Sequence, residues 1–342
     1  MYDRIKMLSD NLIGENMDKE TRKKEFVSVT LLFITALLWG TSFAARKLGL
    51  LYITPMFFNG LRFLLGGLFI FAVYAIFQKG QLNPTKSPTG DPLAIAPLKT
   101  QITGGILMGI LLGIAALFQQ LALVDGSAGQ TAFFVALYTI MVPIISAVFL
   151  RTKIPVKVWI GALIAVFGIY LIGGAGDFAI SESDIYALLS AFTMAIQIHV
   201  INKYAHQSNG LFLSTLQALV SGILNLILGL IFESGNSLVG IMNAFWPLMV
   251  CSFVSMGIPY TLQILAQKNA PPSISAIVLS LESVFGAIFG AIILGERMGP
   301  LQLAGSALIF SAIIIAQLNI KKRKDRVKTK LDDIDQNEPT PH

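Results

Sequence analysis

The stretch IVLSLESVFGAIFGAIILGERMG, from Ile277 to Gly299, is almost entirely apolar, yet it contains Glu282 in its first third. Its length and composition are typical of a membrane-spanning helix, since about 20 apolar residues are enough to cross the hydrocarbon core. An ionised carboxylate inside such a helix costs about 3 kcal/mol on insertion scales. The stretch therefore predicts a membrane protein and marks Glu282 as a candidate functional residue.

The composition of the whole chain agrees with this interpretation. Of the 342 residues, 54% are hydrophobic and only 13% are charged, whereas about a quarter of the residues in soluble proteins are charged. Such a chain lacks the polar surface that two soluble domains would need. Cys251 is the only cysteine, which excludes an internal disulfide and a cysteine metal cluster.

Apolar runs separated by turn residues divide the chain into ten predicted spans. An N-terminal arm, residues 1–25, precedes them, and a basic tail, residues 319–342, follows them. The predicted fold class is therefore an all-α polytopic membrane protein. The spans cover residues 26–45, 55–77, 101–123, 128–150, 156–172, 184–204, 210–232, 244–267, 273–294 and 300–318.

Lysine and arginine predict the orientation, because both are enriched on the cytoplasmic side of membrane proteins. With the N-terminus inside, 21 basic residues fall on the cytoplasmic side and only Arg46, Lys47 and Arg297 fall outside. Arg62 remains within the second span. Both termini are thus predicted to be cytoplasmic.

The second half of the chain repeats the order of the first. A shift of 144 residues aligns the fourth span with the ninth and pairs Gln119 with Gln263 and Tyr138 with Glu282. An odd number of spans leaves the chain on the other side of the membrane, so a second set of five spans enters the membrane from the opposite side to the first. Inverted repeats of this kind are common in secondary transporters, whose substrate sites lie near the midplane. Two inverted five-helix repeats are predicted, in residues 26–172 and 184–318.

Four stretches resemble one known family in their sequence and order. The chain over residues 26–318 is similar to ten-helix members of the drug/metabolite transporter (DMT) superfamily, of the EamA-like type. The stretches are WGTSFAARK (Trp39 to Lys47), LRFLLGG (Leu61 to Gly67), QQLALVDGSAGQTAFFVALYTIMVPIISAVFL (Gln119 to Leu150) and SAIVLSLESVFGAIFGAIILGERMGPLQLAGSALIFSAIII (Ser275 to Ile315).

Two positions depart from the family pattern. The L-G-E-R ending of the ninth span is replaced in the first half by LRTK, from Leu150 to Lys153. The Leu-Glu-Pro often found in the second half is here Leu281-Glu282-Ser283. The first departure weakens any role for a symmetric pair of glutamates at the helix ends.

The resemblance implies a transporter that works by alternating access in the cytoplasmic membrane of a bacterium. Its implied substrates are small organic solutes, such as amino acids, related metabolites or amphipathic drugs, and they are usually exported. The sequence contains no G-x-x-x-x-G-K-[ST] loop for ATP. An ion gradient, substrate exchange or downhill flow would then supply the energy.

Nine residues are predicted to line a substrate or coupling-ion cavity. Glu282 could exchange a proton or bind a cationic amine, because burial penalises its charged form; a neutral carboxyl that only contributes to packing is the alternative. Arg62 could hold a substrate carboxylate or extend to the outer headgroups. For Tyr138, Gln119 and Gln263, bonding between helices explains the residue types equally well. Trp39 is also typical of the membrane interface, but the family resemblance favours the cavity, whereas a lone histidine such as His199 is more often a polar residue satisfied by its neighbours. The nine are Glu282, Tyr138, Gln119, Gln263, Trp39, Thr41, Ser42, Arg62 and His199.

Two other function classes, a lipid-modifying membrane enzyme and a channel, are less well supported. The three histidines are scattered, H-E-x-x-H is absent, and no nucleophile–base pair stands out in the loops. Rings of charge or a selectivity-filter sequence are also absent. The predicted partners are a small-molecule substrate and membrane lipids, without nucleic acid, cofactor or metal, and the sequence leaves open a monomer or a homodimer.

Overall fold

The computed structural model describes residues 2–77, 96–150, 155–172, 180–205, 208–267 and 272–317, and this part of the chain is helical without strands. The predicted basic tail lies outside it. A π-helical segment, Val250–Gly257, joins α10 to α11. The α-helices are α1 (Tyr2–Gly49), α2 (Pro55–Phe77), α3 (Leu98–Asp125), α4 (Ala128–Ala136), α5 (Tyr138–Leu150), α6 (Val156–Ile172), α7 (Glu182–Ala205), α8 (Gly210–Phe232), α9 (Leu238–Asn243), α10 (Phe245–Met249), α11 (Ile258–Gln267), α12 (Pro272–Leu294) and α13 (Pro300–Gln317).

Local sequence explains where several helices begin. Pro55, Pro272 and Pro300 occupy the first positions of α2, α12 and α13, where the missing N–H has no helical partner to lose. Ser127 and Asn209 cap α4 and α8, since their side-chain oxygens accept hydrogen bonds from backbone N–H groups three residues later. These signals place the helix starts close to the predicted span boundaries.

Among the described residues, seven helical stretches are long and apolar enough to cross a membrane, and one of them, Ala128–Ala147, comprises α4 and most of α5. Three shorter apolar helical stretches, Val156–Ile172, Phe245–Gly257 and Pro300–Ala316, lie where the fifth, eighth and tenth spans are predicted. Large apolar side chains on the exterior, such as Ile76 at 75% exposure and Trp246 at 74%, are suited to lipid rather than water. The multi-pass, all-helical fold is confirmed, and the count of ten spans remains a prediction.

Two spans predicted as single helices are interrupted. The fourth consists of α4 and α5, which are separated at Leu137, and α5 contains Pro143. The eighth consists of α10, the π-helical segment and α11. Pro259 follows the π-helical segment closely and cannot donate the backbone bond that a regular α-helix needs. The periodicity of apolar residues does not reveal such breaks, because it is the same on both sides of them.

The packing places helices from the two halves of the chain against one another. Helix α2 packs against α8, α1 against α12, α6 against α13, and α3 against α7 and α8. Among the described residues, the largest buried cluster joins α3, α4, α5, α6, α7, α12 and α13, and it includes Phe134, Ile309 and Ile313. Residues that are far apart in the sequence are thereby brought to the centre of the bundle.

Candidate functional site

A cavity of about 200 Å³ lies at this centre and is lined by residues of both halves of the chain. Seven of the nine predicted site residues line it. Both pairs that the 144-residue shift relates, Gln119 with Gln263 and Tyr138 with Glu282, are included. The seven are Glu282, Tyr138, Gln119, Gln263, Trp39, Ser42 and Arg62.

The contact between α1 and α12 positions Glu282. A methyl group placed on Gly40 would lie 2.9 Å from the backbone oxygen of Glu282 and 2.3 Å from Cβ of Phe285. Only a glycine lets the two helices approach so closely. Trp39 and Ser42, which flank Gly40 on α1, consequently line the same cavity as the Glu282 carboxylate. That carboxylate is almost fully buried, since Glu282 is 8% exposed.

Arg46, which the charge count places on the outer side of the membrane, also lines the cavity. It is 2% exposed. Its Nε donates to the carbonyl oxygen of Ser42 at 3.3 Å, its Nη1 donates to Oε1 of Gln119, and its guanidinium stacks 4.5 Å from the centre of the Phe43 ring. Arg46 is thus a lining residue that the predicted site did not include. Side chains one helical turn apart share a face, so the sequence offered a signal: Trp39, Ser42 and Arg46 follow one another at that spacing.

Arg62 is the second buried arginine of the cavity, at 6% exposure. Its Nε donates to Oδ1 of Asn59 at 2.8 Å, and the Asn59 amide in turn donates to the carbonyl oxygen of Ala116 on α3. The guanidinium lies 4.2 Å from the centre of the Phe63 ring. Of the two interpretations of Arg62, the structure favours an inward side chain over one that extends to the headgroups.

The charges of the cavity influence one another. Because all three groups line one cavity, Glu282 attracts the guanidiniums of Arg46 and Arg62, and the two guanidiniums repel each other. Arg46, Arg62 and Glu282 are the charged members of the described lining. Such interactions are stronger in a buried site than in water, because the surrounding dielectric screens them less.

Glutamines extend the polar lining away from the arginines. Nε2 of Gln197 on α7 donates to Oε1 of Gln217 on α8 at 3.3 Å, and both residues line the cavity together with Ser255 of the π-helical segment. Gln217 and Ser255 were missed by sequence reasoning. Neutral polar residues are common in transmembrane helices as packing contacts, so the sequence alone gives little reason to select them.

Thr41 and His199 lie outside the cavity lining. The Thr41 hydroxyl donates to the carbonyl oxygen of Leu38 on its own helix at 2.7 Å. Nε2 of His199 is 2.7 Å from Oγ of Ser146 on α5, and its Nδ1 is 2.8 Å from the carbonyl oxygen of Ala195. Both ring nitrogens thus have protein partners, and His199 connects α7 to α5 instead of facing the cavity.

Glu296 connects three helices at one end of the bundle. We call this end the Glu296 face, and we define it as the end that carries Lys47, Thr54, Gly126, Glu233 and Glu296. Gly295 has a φ of +67° and ends α12, after which the Glu296 carboxylate accepts hydrogen bonds from the backbone N–H of Ala128 at 2.9 Å. Nζ of Lys47 lies 3.3 Å from the same carboxylate and donates to the carbonyl oxygen of Gly126 at 2.6 Å. Helices α1, α4 and α12 are joined there.

A second carboxylate makes a similar connection on the same face. Glu233 follows α8 and accepts hydrogen bonds from the backbone N–H groups of Met56 at 2.8 Å and Phe57 at 3.0 Å, in the first turn of α2. The Thr54 hydroxyl donates to it as well. A carboxylate at a helix N-terminus satisfies N–H groups that have no helical partner. The first- and second-half helices are thereby connected twice at the Glu296 face.

Comparison with known proteins identifies the family. A model of the EamA-like transporter family matches residues 27–174 and, separately, residues 182–317. The chain belongs to the EamA-like transporter family. The resemblance drawn from the sequence is confirmed, and the protein is a multi-pass membrane transporter of the EamA type.

Individual relatives agree with this membership. The chain is 27% identical over 293 residues to an uncharacterized transporter of Archaeoglobus fulgidus, covering 84% of this chain and 85% of the relative. It is 24% identical over 303 residues to the uncharacterized transporter YoaV of Bacillus subtilis, covering 87% and 97%. A solved crystal structure is similar with a TM-score of 0.60 at 17% identity, covering 87% of this chain and 98% of that one, which shows the fold alone.

Proposed function

We propose that this EamA-like protein is a secondary transporter that moves a small organic solute across the cytoplasmic membrane by alternating access. The two halves, residues 26–172 and 184–318, would form inverted five-helix repeats of ten spans in all, with both termini in the cytoplasm. The direction we propose is export. The observation that carries the proposal is the cavity, which residues of both halves line and which contains Glu282.

Equivalent helices support the repeat. Helices α2 and α8 both have 23 residues, and each position of one corresponds to a position 155 residues later in the other. A methyl group on Gly67 would contact Leu219, and one on Gly222 would contact Leu64. The shift of 155 residues relates Gly67 to Gly222 and Leu64 to Leu219, so it converts the first contact into the second. A pseudo-two-fold axis between the two helices requires this relation.

Helices α6 and α13 support it in the same way. They are related by the shift of 144 residues that aligns the fourth and ninth spans. A methyl group on Gly168 would lie 2.8 Å from the carbonyl oxygen of Gly305, and one on Gly161 would lie 2.8 Å from that of Ala312. Exchanging the two halves converts Gly305 into Gly161 and Gly168 into Ala312. Later positions on one helix pair with earlier positions on the other, as helices of opposite direction do.

The connections at the two ends of the bundle support alternating access. The Glu296 face, which corresponds to the outer side in the proposed orientation, is joined by the Glu296 and Glu233 carboxylates. The cavity continues from Arg46 towards Ile201 and Gln263, which lie one turn from the opposite ends of α7 and α11. A carrier that is held closed on its outer side would have the carboxylate connections of the Glu296 face.

Glu282 is the proposed coupling residue. An ionisable group within the membrane interior is a functional candidate by default, and a proton on Glu282 would change the net charge of the cavity. The two conformations of a carrier can differ in how they hydrate a buried carboxylate, so that protonation favours one of them. Proton coupling would follow from that difference.

The experiment that tests the proposal is transport in reconstituted vesicles by wild type and Glu282→Gln. A thermal-shift screen of metabolites on the purified chain first supplies a solute, because ligands that bind the folded state raise its stability. Glu282→Gln preserves size and hydrogen-bonding capacity but cannot exchange a proton. We expect a lower rate that no longer changes between an acidic and an alkaline buffer.

Control variants separate the coupling role from a general effect. Glu182→Gln, an exposed carboxylate that accepts a bond from Tyr186 on its own helix, is expected to transport like the wild type. Unchanged rate and unchanged pH dependence in Glu282→Gln would exclude Glu282 from the mechanism. Absence of any protein-dependent solute flux for every solute that binds would exclude the transporter proposal as a whole.

A further inference from the structure

The charge balance of the cavity restricts the solute that it can hold. Two guanidinium groups, those of Arg46 and Arg62, face one carboxylate, that of Glu282. Arg46 donates to the Ser42 carbonyl and the Gln119 amide, and Nε of Arg62 donates to the Asn59 amide. The described lining thus carries a net charge of +1 when Glu282 is ionised and +2 when it is protonated.

An excess positive charge in the membrane interior is unfavourable unless something compensates for it. The two guanidiniums also repel one another. An anion between them would offset both effects at once. A carboxylate fits the planar, multiply donating guanidinium better than a spherical ion does, because it can accept two parallel hydrogen bonds.

The remainder of the lining indicates what the anion is attached to. Beyond the arginines the cavity is bordered by the apolar residues Met194, Ile198 and Ile201 on one face of α7 and Met256, beside the neutral Gln197–Gln217 pair. Apolar walls of this kind accept an aliphatic or aromatic body. The volume, about 200 Å³, lies below the range of roughly 300 to 1,000 Å³ that is usual for sites of drug-sized ligands.

We propose that the cavity binds a small organic anion, with its carboxylate at Arg46 and Arg62 and its apolar body towards Ile201. This inference rests on the proposed function, since the bound anion is the transported solute. It selects among the solute classes that the resemblance leaves open: a metabolite-sized carboxylate is favoured over a cationic amine or a large amphipathic drug. Arg46 and Arg62 are assigned as the residues that determine this charge preference.

A series of probes on one carbon skeleton tests the assignment with the full-length chain in detergent. Hydrocinnamate is the anion, hydrocinnamamide its neutral analogue, phenylalanine the zwitterion and phenethylamine a cation of similar size. Thermal unfolding is followed with each probe at equal concentration and constant ionic strength. We expect hydrocinnamate to raise the unfolding temperature most, with the amide and the amine close to the value without ligand.

Variants assign the preference to the arginine side chain. Arg62→Gln is expected to weaken hydrocinnamate binding about ten- to a hundredfold, the effect of losing one charged hydrogen-bonding partner. Arg62→Lys retains the charge but not the planar fork, so an intermediate affinity is expected. Arg297→Gln removes an exposed cation outside the cavity and is expected to bind as the wild type does. The wild-type ranking of the probes remains decisive even if Arg62→Gln fails to fold.

The outcomes distinguish this inference from the function on which it rests. A larger shift with phenethylamine, phenylalanine or the amide than with hydrocinnamate, or no shift with any probe, would overturn the anion site. Transport of one of those other solutes in vesicles would then leave the carrier proposal intact. Conversely, anion binding that depends on Arg62 but is never accompanied by flux would support the site and reject the carrier.

Discussion

Glu296→Gln is the change that we expect to weaken the closure of the Glu296 face most directly. The glutamine keeps the size of the side chain and one acceptor oxygen, so steric effects are small. It loses the charge that attracts Lys47 at 3.3 Å and that strengthens the bonds from the Ala128 N–H at 2.9 Å. Since these partners belong to α1 and α4, the bonds can exist only while the three helices meet.

The size of the effect follows from these contacts. A hydrogen bond to a charged group contributes about 1.5 to 3 kcal/mol and a neutral one about 0.5 to 1.5, so neutralisation costs about 1.5 kcal/mol at the Ala128 N–H. The ion pair between Lys47 and Glu296 is partly exposed, with 27% and 15% of the two side chains accessible. Because solvent screens such a pair, its loss adds about 0.5 kcal/mol to the cost of the substitution. The sum of about 2 kcal/mol corresponds to a roughly 30-fold higher ratio of open to closed outer face.

Cysteine labelling measures that ratio. Cys251 is buried and is the only native cysteine, so Cys251→Ala provides a background in which Ser42→Cys reports on the cavity. In intact cells a membrane-impermeant maleimide reaches this cysteine only through an open outer face. If opening precedes labelling and is rare, the labelling rate is expected to rise by about the same 30-fold factor in Glu296→Gln. Leu51→Cys, in the exposed loop after α1, reports that the face is outside and should label equally in both backgrounds.

Matched variants define what would refute the reasoning. Glu182→Gln removes another carboxylate, one whose described hydrogen bond comes from Tyr186 of its own helix, and should leave Ser42→Cys labelling unchanged. Adding Lys47→Gln to Glu296→Gln should have less effect than the two single changes predict together, because they remove one shared interaction. If Glu296→Gln labels at the wild-type rate while Leu51→Cys is accessible, these contacts do not hold the face closed.

Two further predictions concern packing and the boundary of the site. Gly222→Ala should lower the unfolding temperature, because its methyl group would lie 2.8 Å from the backbone nitrogen of Leu64 and overpacking typically costs about 1 to 3 kcal/mol. Gly299→Ala is the control, because the nearest neighbour of its methyl group is 3.9 Å away. Equal unfolding temperatures for the two variants would contradict the close α2–α8 contact. His199→Ala should reduce the free energy of unfolding by about 1 kcal/mol, because the hydrogen bond to Ser146 is lost. The affinity for hydrocinnamate should stay as in the wild type, since His199 lies outside the cavity lining. A large loss of affinity would show that His199 contributes to the binding site.

Helix positions, and the placing of Tyr138 and Glu282 at one cavity, could be predicted from the sequence because they depend on local composition and on a regular shift. Apolar length predicts a span, and Pro or Asn at its start predicts where it begins. The interruptions at Leu137 and in Val250–Gly257 could not be predicted with the same certainty. Proline marks a place where a helix is weakened, but packing decides whether it bends, breaks or widens.

Arg46 shows that the distribution of charge along the chain is a weaker guide to the position of a single side chain than the helix face on which that side chain lies. The distribution of lysine and arginine predicts the orientation of the chain as a whole, and applying it to each residue placed Arg46 outside. Its partners, Gln119 and the Phe43 ring, come from another span and from the preceding turn of α1. A buried arginine is stabilised by such specific contacts, and only tertiary structure brings Gln119 within reach. The number of arginines in the cavity, and with it the proposed preference for an anion, could therefore not be read from the sequence.

The Glu296 contacts indicate what the departure from the family pattern at the end of the fourth span changes in the proposed carrier. In a carrier made of two inverted repeats, exchanging the conformations of the halves converts the outward-closed state into the inward-closed one, and a symmetric sequence would make the two states equally stable. The shift of 144 residues relates Glu296 to Thr152, which lies outside the described residues. A threonine cannot supply the charge with which Glu296 binds Lys47 and the start of α4. If the proposed carrier is built of inverted repeats, we therefore expect the conformation that is closed at the Glu296 face to be the more stable of the two.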